Sequence, residues 1–376
     1  TSINLTQVVM SSGAPGYNFR AYTSSPNGVT DENFENDTLD YYTQTAMEGT
    51  FTIGGTSPDF ATFNDAVTGL ATFGVCGPVV FHARGGTYTE QVSIDNLQGV
   101  SSVNTVTFTT DPANTAPVKV EFASSSSSNA GVFRLNDASF ITVDGYDIEN
   151  TGGTYADAIY IYGNSHDITI SNNTAWTSAN TNFQSHAIYV YTYGNPGENI
   201  HVLNNDFSGG YYCTYFYGYD GSGPGLDGFR LENNVIHDAY YYGLYLFYTK
   251  NASIIGNDVD MVGGPSNTNS YGMMMYGYGT GYKIERNTVH AGYYGMYCYS
   301  MSGSSSEYAT LYNNKIMIGD TSASITNGYY ALYFSQSGFF NISHNLVLSQ
   351  TTNGYSAYLL GGLNKVHNNI FARVNS

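Results

Sequence analysis

Down the second half of the chain the apolar positions fall into a phrase of fixed form: apolar, any, apolar, any, any, Asn, any, apolar. It runs through Ile168, Ile170, Asn173 and Ala175, then Ile200, Val202, Asn205 and Phe207, then Phe229, Leu231, Asn234 and Ile236. The same rhythm continues at Asn257, Asn287, Asn314 and Asn345 and ends at Val366, Asn369 and Phe371. Successive asparagines are 23 to 32 residues apart. One coil per period, with loops of variable length, is the signature of a stacked solenoid in which each repeat buries its apolar side only against its neighbours.

A second phrase alternates with the first: small, apolar, aromatic, apolar, aromatic. It occupies residues 158–162, 187–191, 213–217, 243–247, 272–276, 295–299 and, in shortened form, 331–334. Strand side chains alternate between faces, so Ile159, Ile161, Ile188, Val190, Leu244, Leu246, Met296 and Leu332 are predicted to point inward. Tyr160, Tyr189, Tyr215, Tyr245, Tyr297 and Tyr333 then form one outward column, interrupted by Met274. Tyr162, Tyr191, Tyr217, Phe247, Tyr276 and Tyr299 form a second beside it. Further tyrosines (211–212, 240–242, 293–294 and 329–330) lie just before these strands, at one edge of the wall. Two strand phrases per coil predict an all-β chain folded as a single right-handed parallel β-helix of about eleven coils.

The asparagines Asn173, Asn205, Asn234, Asn257, Asn287, Asn314, Asn345 and Asn369 are expected to be structural. Asn tolerates the left-handed conformation at a tight corner, and stacked amides can donate to one neighbouring coil and accept from the other. The tyrosine wall has three readings: a solvent-facing β-former whose rings support neighbouring coils, a contact face for protein or protomer, or a platform for sugar rings. A groove that interleaves Tyr with Asp favours sugar. A flat wall favours protein.

Residues 1–49 stand outside the repeat and read as a polar, turn-rich linker; the stretch also resembles the last strands of immunoglobulin-like modules, a resemblance that implies the remnant of a preceding β-sandwich module. The β-helix is assigned to residues 50–376, headed by a capping helix over 58–73. Ser57 suits its N-cap, Pro58 its first position, and Phe60, Phe63, Ala66, Val67 and Leu70 form one apolar stripe ended by Gly74. The chain opens at Thr1 and stops soon after a complete repeat, so a piece of a larger chain or an end-to-end homo-oligomer is expected.

Composition narrows the partners. Lys and Arg number 11 against 29 Asp and Glu, a net charge of -18, which argues against nucleic acid and anionic membranes. No apolar run approaches the ~20 residues of a membrane helix. Cys76, Cys213 and Cys298 are too few and scattered for a disulfide framework or a zinc site. The histidines form no helical i, i+4 pair. Asp220 and Asp227 flank a glycine-rich loop and are weak candidates for calcium, the one cofactor considered. Low charge with 43 Gly and 37 Tyr suits an extracellular β-protein.

Gly86, Tyr88, Glu90, Val92 and Ile94 form a Gly-x-Tyr-x-Glu-x-Val-x-Ile run that resembles the opening coil of pectin methylesterase-type members of the pectin-lyase-like superfamily. The repeat over residues 76–372 resembles the same superfamily. The runs at 54–60 and 75–81 resemble β-helix modules of very large secreted surface proteins in gliding and predatory bacteria. That resemblance implies a structural or adhesive role at the bacterial cell surface, with other modules, protomers or surface glycans as partners. The alternative it implies is a polysaccharide-active lyase, hydrolase or esterase. The enzyme motifs of that superfamily are missing from the sequence: there is no Asn-Thr-Asp, Gly-His-Gly or Asp-Phe-Ile-Phe-Gly segment. Arg134, Arg230, Lys283 and Arg286 are dispersed, and Asp206, Asp238 and Asp258 read equally well as loop residues, so no catalytic residue is assigned.

Overall fold

The computed structural model describes residues 17–22, 38–43, 45–193, 197–219, 225–265, 267–319 and 328–374. Each coil passes through three strands, and strands of successive coils pair in parallel into sheets of 12, 11 and 10 strands, here called A, B and C. In one central coil His166–Ser171 lies in sheet A, Thr174–Thr177 in sheet B and Ser185–Tyr193 in sheet C. The fold is a parallel β-helix of about ten turns, with one α-helix among the described residues.

Register explains the core. Ile141 pairs with Ile168 and Ile168 with Ile200, so each inward side chain stacks on its equivalent one coil along. Ile159, Ile161, Ile188, Val190, Leu244, Leu246, Met296 and Leu332 are fully buried in this way. A narrow interior filled by aliphatic stacks contributes roughly 1.5–3 kcal/mol per buried side chain, which offsets the ordering of the coil.

Through the coils of the asparagine column the corner from sheet A to sheet B has a constant length, whereas the earlier corner at residues 111–117 is longer. Residues 172–173 separate one strand pair, 204–205 the next, and the same two-residue step recurs at 233–234, 256–257, 286–287, 313–314, 344–345 and 368–369. Here the structure corrects the expectation for asparagine. The left-handed residue is the one before each column asparagine: Asn172, Asn204, Asn233, Gly256, Arg286, Asn313, His344 and Asn368. The column residues themselves keep ordinary backbone angles and serve through their amides. Asn205 Nδ2 donates to Asn234 Oδ1 (3.0 Å) and to the carbonyl of Ile170 (2.9 Å), and its backbone N–H donates to the same Oδ1 (2.9 Å). The pattern runs from Asn173 to Asn369 and begins at Tyr146, whose backbone N–H donates to Asn173 Oδ1.

Helix α1 spans Phe63–Phe73, five residues later than expected. Ser57 and Pro58 do not start it, because Asp59 accepts from the Thr52 backbone and hydroxyl, and Phe60 bridges to Ile53. That tie to the first strand of sheet A, Met47–Ile53, holds the segment extended. The N-cap is Thr62, in a reciprocal capping box with Asp65, and Glu90 accepts from the Phe63 and Asn64 N–H groups at 3.0 Å each. The Glu of the methylesterase-like run therefore binds a helix terminus. Phe63 is fully buried against Tyr88, Phe108, Phe133 and Tyr146, closing the first coils. Thr62→Ala is expected to cost about 1 kcal/mol in chemical denaturation, the usual worth of a cap.

Upstream, Tyr17–Tyr22 and Thr38–Thr43 pair antiparallel as a separate two-stranded ribbon. In the last coil Leu363, Val366 and Ile370 are exposed.

Candidate functional site: a tyrosine face headed by a cavity

Sheet C carries the wall. In the first column Tyr160, Tyr189, Tyr215 and Tyr245 follow one another at ring-centroid distances of 5.2, 5.0 and 5.1 Å, with planes within 13° of parallel. Tyr297, Tyr333 and Tyr358 continue it at 4.6 and 5.0 Å. Met274 interrupts the column, but Tyr276 reaches Tyr297 diagonally at 5.3 Å and keeps the face continuous. The second column holds Tyr162, Tyr191, Tyr217, Phe247, Tyr276 and Tyr299, with successive distances between 4.3 and 6.3 Å.

Stacking along the coil axis has a chemical consequence. Ring faces are turned toward the rings above and below, so solvent meets ring edges and phenolic hydroxyls. Burial is the main reason several of these phenols ionise late: Tyr160 and Tyr245 are pushed up to about 12, and Tyr189, Tyr215 and Tyr297 further, with neighbouring phenols adding to the effect. The face is neutral and rich in donors and acceptors at any physiological pH.

The tyrosines expected at the edge of the wall supply Tyr212, Tyr242, Tyr294 and Tyr330, and with Tyr271 and Tyr355, which the sequence reading does not include, they stack as a third column at distances of 4.8 to 6.1 Å. Tyr212 lies three positions before Tyr215, which strict alternation would place on the opposite face. Two consecutive buried residues, Cys213 and Thr214, reset the parity, and each coil repeats the device with pairs such as Gly243–Leu244 and Gly295–Met296. The small residue is required there: a Cβ on Gly243 would lie 2.7 Å from the Gly272 carbonyl.

Asp157 and His186 head the third column. They pair in register on adjacent coils, and His186 Nδ1 lies 2.5 Å from Asp157 Oδ1, with both side chains 5% exposed. Burial raises the Asp157 pKa, opposed by the His186 imidazole, its backbone N–H and Arg134. Asn150, itself buried, fixes the strand by donating from Nδ2 to the Asp157 carbonyl at 2.6 Å. The His186 ring stacks on Tyr212 at 5.6 Å. The pair lines a cavity of about 340 Å³ walled by Tyr160, Tyr189, Tyr212 and Tyr215, with Ser127, Tyr155, Phe183 and Gln184 toward its mouth. Tyr155 adopts φ 54°, a strained conformation for a bulky residue. Neither Asp157 nor His186 was singled out from sequence; they are 29 residues apart and no motif links them.

The carboxylates considered from the sequence lie away from this cavity wherever they fall among the described residues. On sheet B, His237 sits between Asp206 (Nε2, 2.9 Å) and Asp238 (Nδ1, 2.7 Å). Burial lowers the His237 pKa, but its hydrogen bonds to the two carboxylates outweigh that and the net shift is upward. Asp258 lines a second hollow beside them, of about 380 Å³. Asp227 pairs with Lys250 at 3.4 Å and accepts from Asn251, while Asp220 lies outside the described residues. Among the described residues no three His, Cys, Asp or Glu side chains converge as a metal site, and no helix is long and apolar enough to cross a membrane.

Comparison with known proteins agrees with this architecture. The family model for the right handed beta helix region matches residues 157–327, which fixes the class of the fold as a right-handed parallel β-helix. A lacto-N-biosidase from Eubacterium ramulus, solved as its selenomethionine derivative, is similar at TM-score 0.50 and 10% identity, over 86% of this chain and 68% of that one. PfbA, a surface adhesin of Streptococcus pneumoniae, is similar at TM-score 0.44 and 12% identity, over 82% and 85%. The pectin methylesterase of Aspergillus niger is similar at 0.35 and 12%, over 88% and 93%. These likenesses concern the fold, which enzymes and an adhesin share. No curated protein sequence matches the chain significantly.

Proposed function

We propose that the chain is a structural module of an extracellular bacterial surface protein, a stiff rod that associates side by side through its tyrosine face. The supporting observation is the repeat of that face. Its hydroxyl edges recur once per coil, at ring spacings near 5 Å. A partner engages all rows together only if it has the same repeat, and a second copy of this chain has it. The strands of the run from Tyr245 to Tyr358 are hydroxyl-rich and carry no charged residue, in a chain whose net charge is -18. Screening that charge favours association of two copies. Sugar stacking along this run is disfavoured, because the ring faces it needs are already covered.

Sedimentation velocity over a wide concentration range tests this reading. Association is expected to strengthen with salt and to weaken at least about tenfold in the Tyr245→Ser, Tyr297→Ser, Tyr333→Ser triple variant, the loss expected for central interface anchors. A chain that stays monomeric at high concentration and high salt, or associates equally well as the triple variant, would remove the proposal.

A polysaccharide-active enzyme is the second reading, and the Asp157–His186 cavity is the observation that favours it. A two-carboxylate hydrolase needs a second acid beside the first, and Asp157 is the one carboxylate among the described residues lining that cavity.

A further inference from the structure

We propose that the cavity at the head of the tyrosine face is a binding site for a single uncharged sugar ring. The inference does not depend on side-by-side association. It starts from what the fold does not require. The position held by Asp157 and His186 is filled in later coils by Tyr212, Tyr242, Tyr271 and Tyr294, so the column accepts a neutral aromatic residue. A buried carboxylate and imidazole there incur a desolvation cost that coil packing does not demand.

The pair is arranged for recognition. Asp157 accepts from the His186 backbone N–H and lies within hydrogen-bond distance of Nδ1; in the tautomer that carries the proton on Nδ1, Nε2 is left as an acceptor. That nitrogen has no protein partner among the described residues, and His186 lines the cavity. A ligand hydroxyl is the matching donor. The phenols of Tyr160, Tyr189 and Tyr215 remain protonated and offer hydroxyls to the other polar edges of the ring.

Phe183, at the mouth, is 64% exposed, and no other ring stacks on it among the described residues. It presents the free aromatic face that the wall tyrosines lack, and the apolar face of a pyranose fits it. The volume of about 340 Å³ is near the lower end of the usual ~300–1,000 Å³ for ligand sites, which suits one ring with its substituents rather than a polymer segment. Asp157 inside and a net charge of -18 outside disfavour a uronate.

The test titrates methyl glycosides of glucose, galactose, mannose and N-acetylglucosamine into the full chain, with methyl galacturonide as the anionic control. Saturation-transfer NMR and the His186 imidazole shifts report binding. At least one neutral glycoside is expected to bind and to move His186. His186→Gln, Asp157→Asn and Phe183→Ala should each weaken it about tenfold or more. Tyr297→Ser and Tyr333→Ser, further along the face and outside the cavity lining, should leave it unchanged. The exposed Phe183 variant keeps the test valid if a buried substitution unfolds the coil. Failure of every neutral glycoside to bind, equal affinity for the galacturonide, or wild-type affinity in folded His186→Gln and Phe183→Ala would overturn the site.

Discussion

Asn234→Ala is expected to destabilise the protein by about 3–5 kcal/mol, although it removes a small side chain from a corner. Asn234 Oδ1 accepts from the Asn205 backbone N–H and from Asn205 Nδ2, while its own Nδ2 donates to the Val202 carbonyl and to Asn257 Oδ1. Alanine leaves a backbone N–H and a carbonyl buried without partners, and each such group costs about 1–3 kcal/mol. The amides on either side lose a partner too. Asn369→Ala is the built-in comparison. Asn369 ends the ladder and is only half-buried, so water can replace its bonds and the loss should be about 1–2 kcal/mol. Denaturant titrations that returned equal losses at both positions would show that the interior rungs carry no special weight.

The second large effect is alkaline unfolding. Below pH 10 the wall phenols are neutral in both the folded and the unfolded chain, and their contribution is intact. Above that point the unfolded chain, at the ordinary value of 10, releases protons that the folded chain retains, since Tyr160 and Tyr245 ionise at about 12 and Tyr189, Tyr215, Tyr242 and Tyr294 later still. Stability therefore falls as pH rises from 10 through the folded values. Phenolate absorbance should appear in two stages, the second coinciding with loss of the β circular-dichroism signal. A single stage near pH 10 with the fold retained would mean that the rings are solvated.

The parts legible in the sequence are those with a fixed spacing. In every coil of the asparagine column the A-to-B corner is two residues long, so the asparagine phrase keeps its form and gives away the coil, the register and the inward stacks. The first two tyrosine columns follow from alternation alone. Alternation then fails at a definite place. Consecutive buried pairs such as Cys213–Thr214 shift the parity, and Tyr212, Tyr242 and Tyr271 come to the same face as Tyr215, Tyr245 and Met274. Asp157 and His186 are hidden by the same shift and by lying on different coils. The start of α1 was misplaced for a local reason: Ser57 and Pro58 have cap chemistry, but Asp59 is tied to Thr52 across the turn, and Thr62 with Asp65 forms the actual cap.

The constant corner also separates two properties that most folds tie together. The connections from sheet B to sheet C vary, from residues 292–293 in one coil to stretches as long as 261–270 and 319–329 in others, yet the rungs on either side stay aligned. Lengthening such a loop costs little entropy, about 0.6 kcal/mol per doubling, and disturbs no amide in the column. Segments that differ in length and character can thus be hung from successive coils without renegotiating the scaffold. A lineage can change what the rod displays while leaving what holds it together untouched, and an engineer can graft foreign loops at the same places.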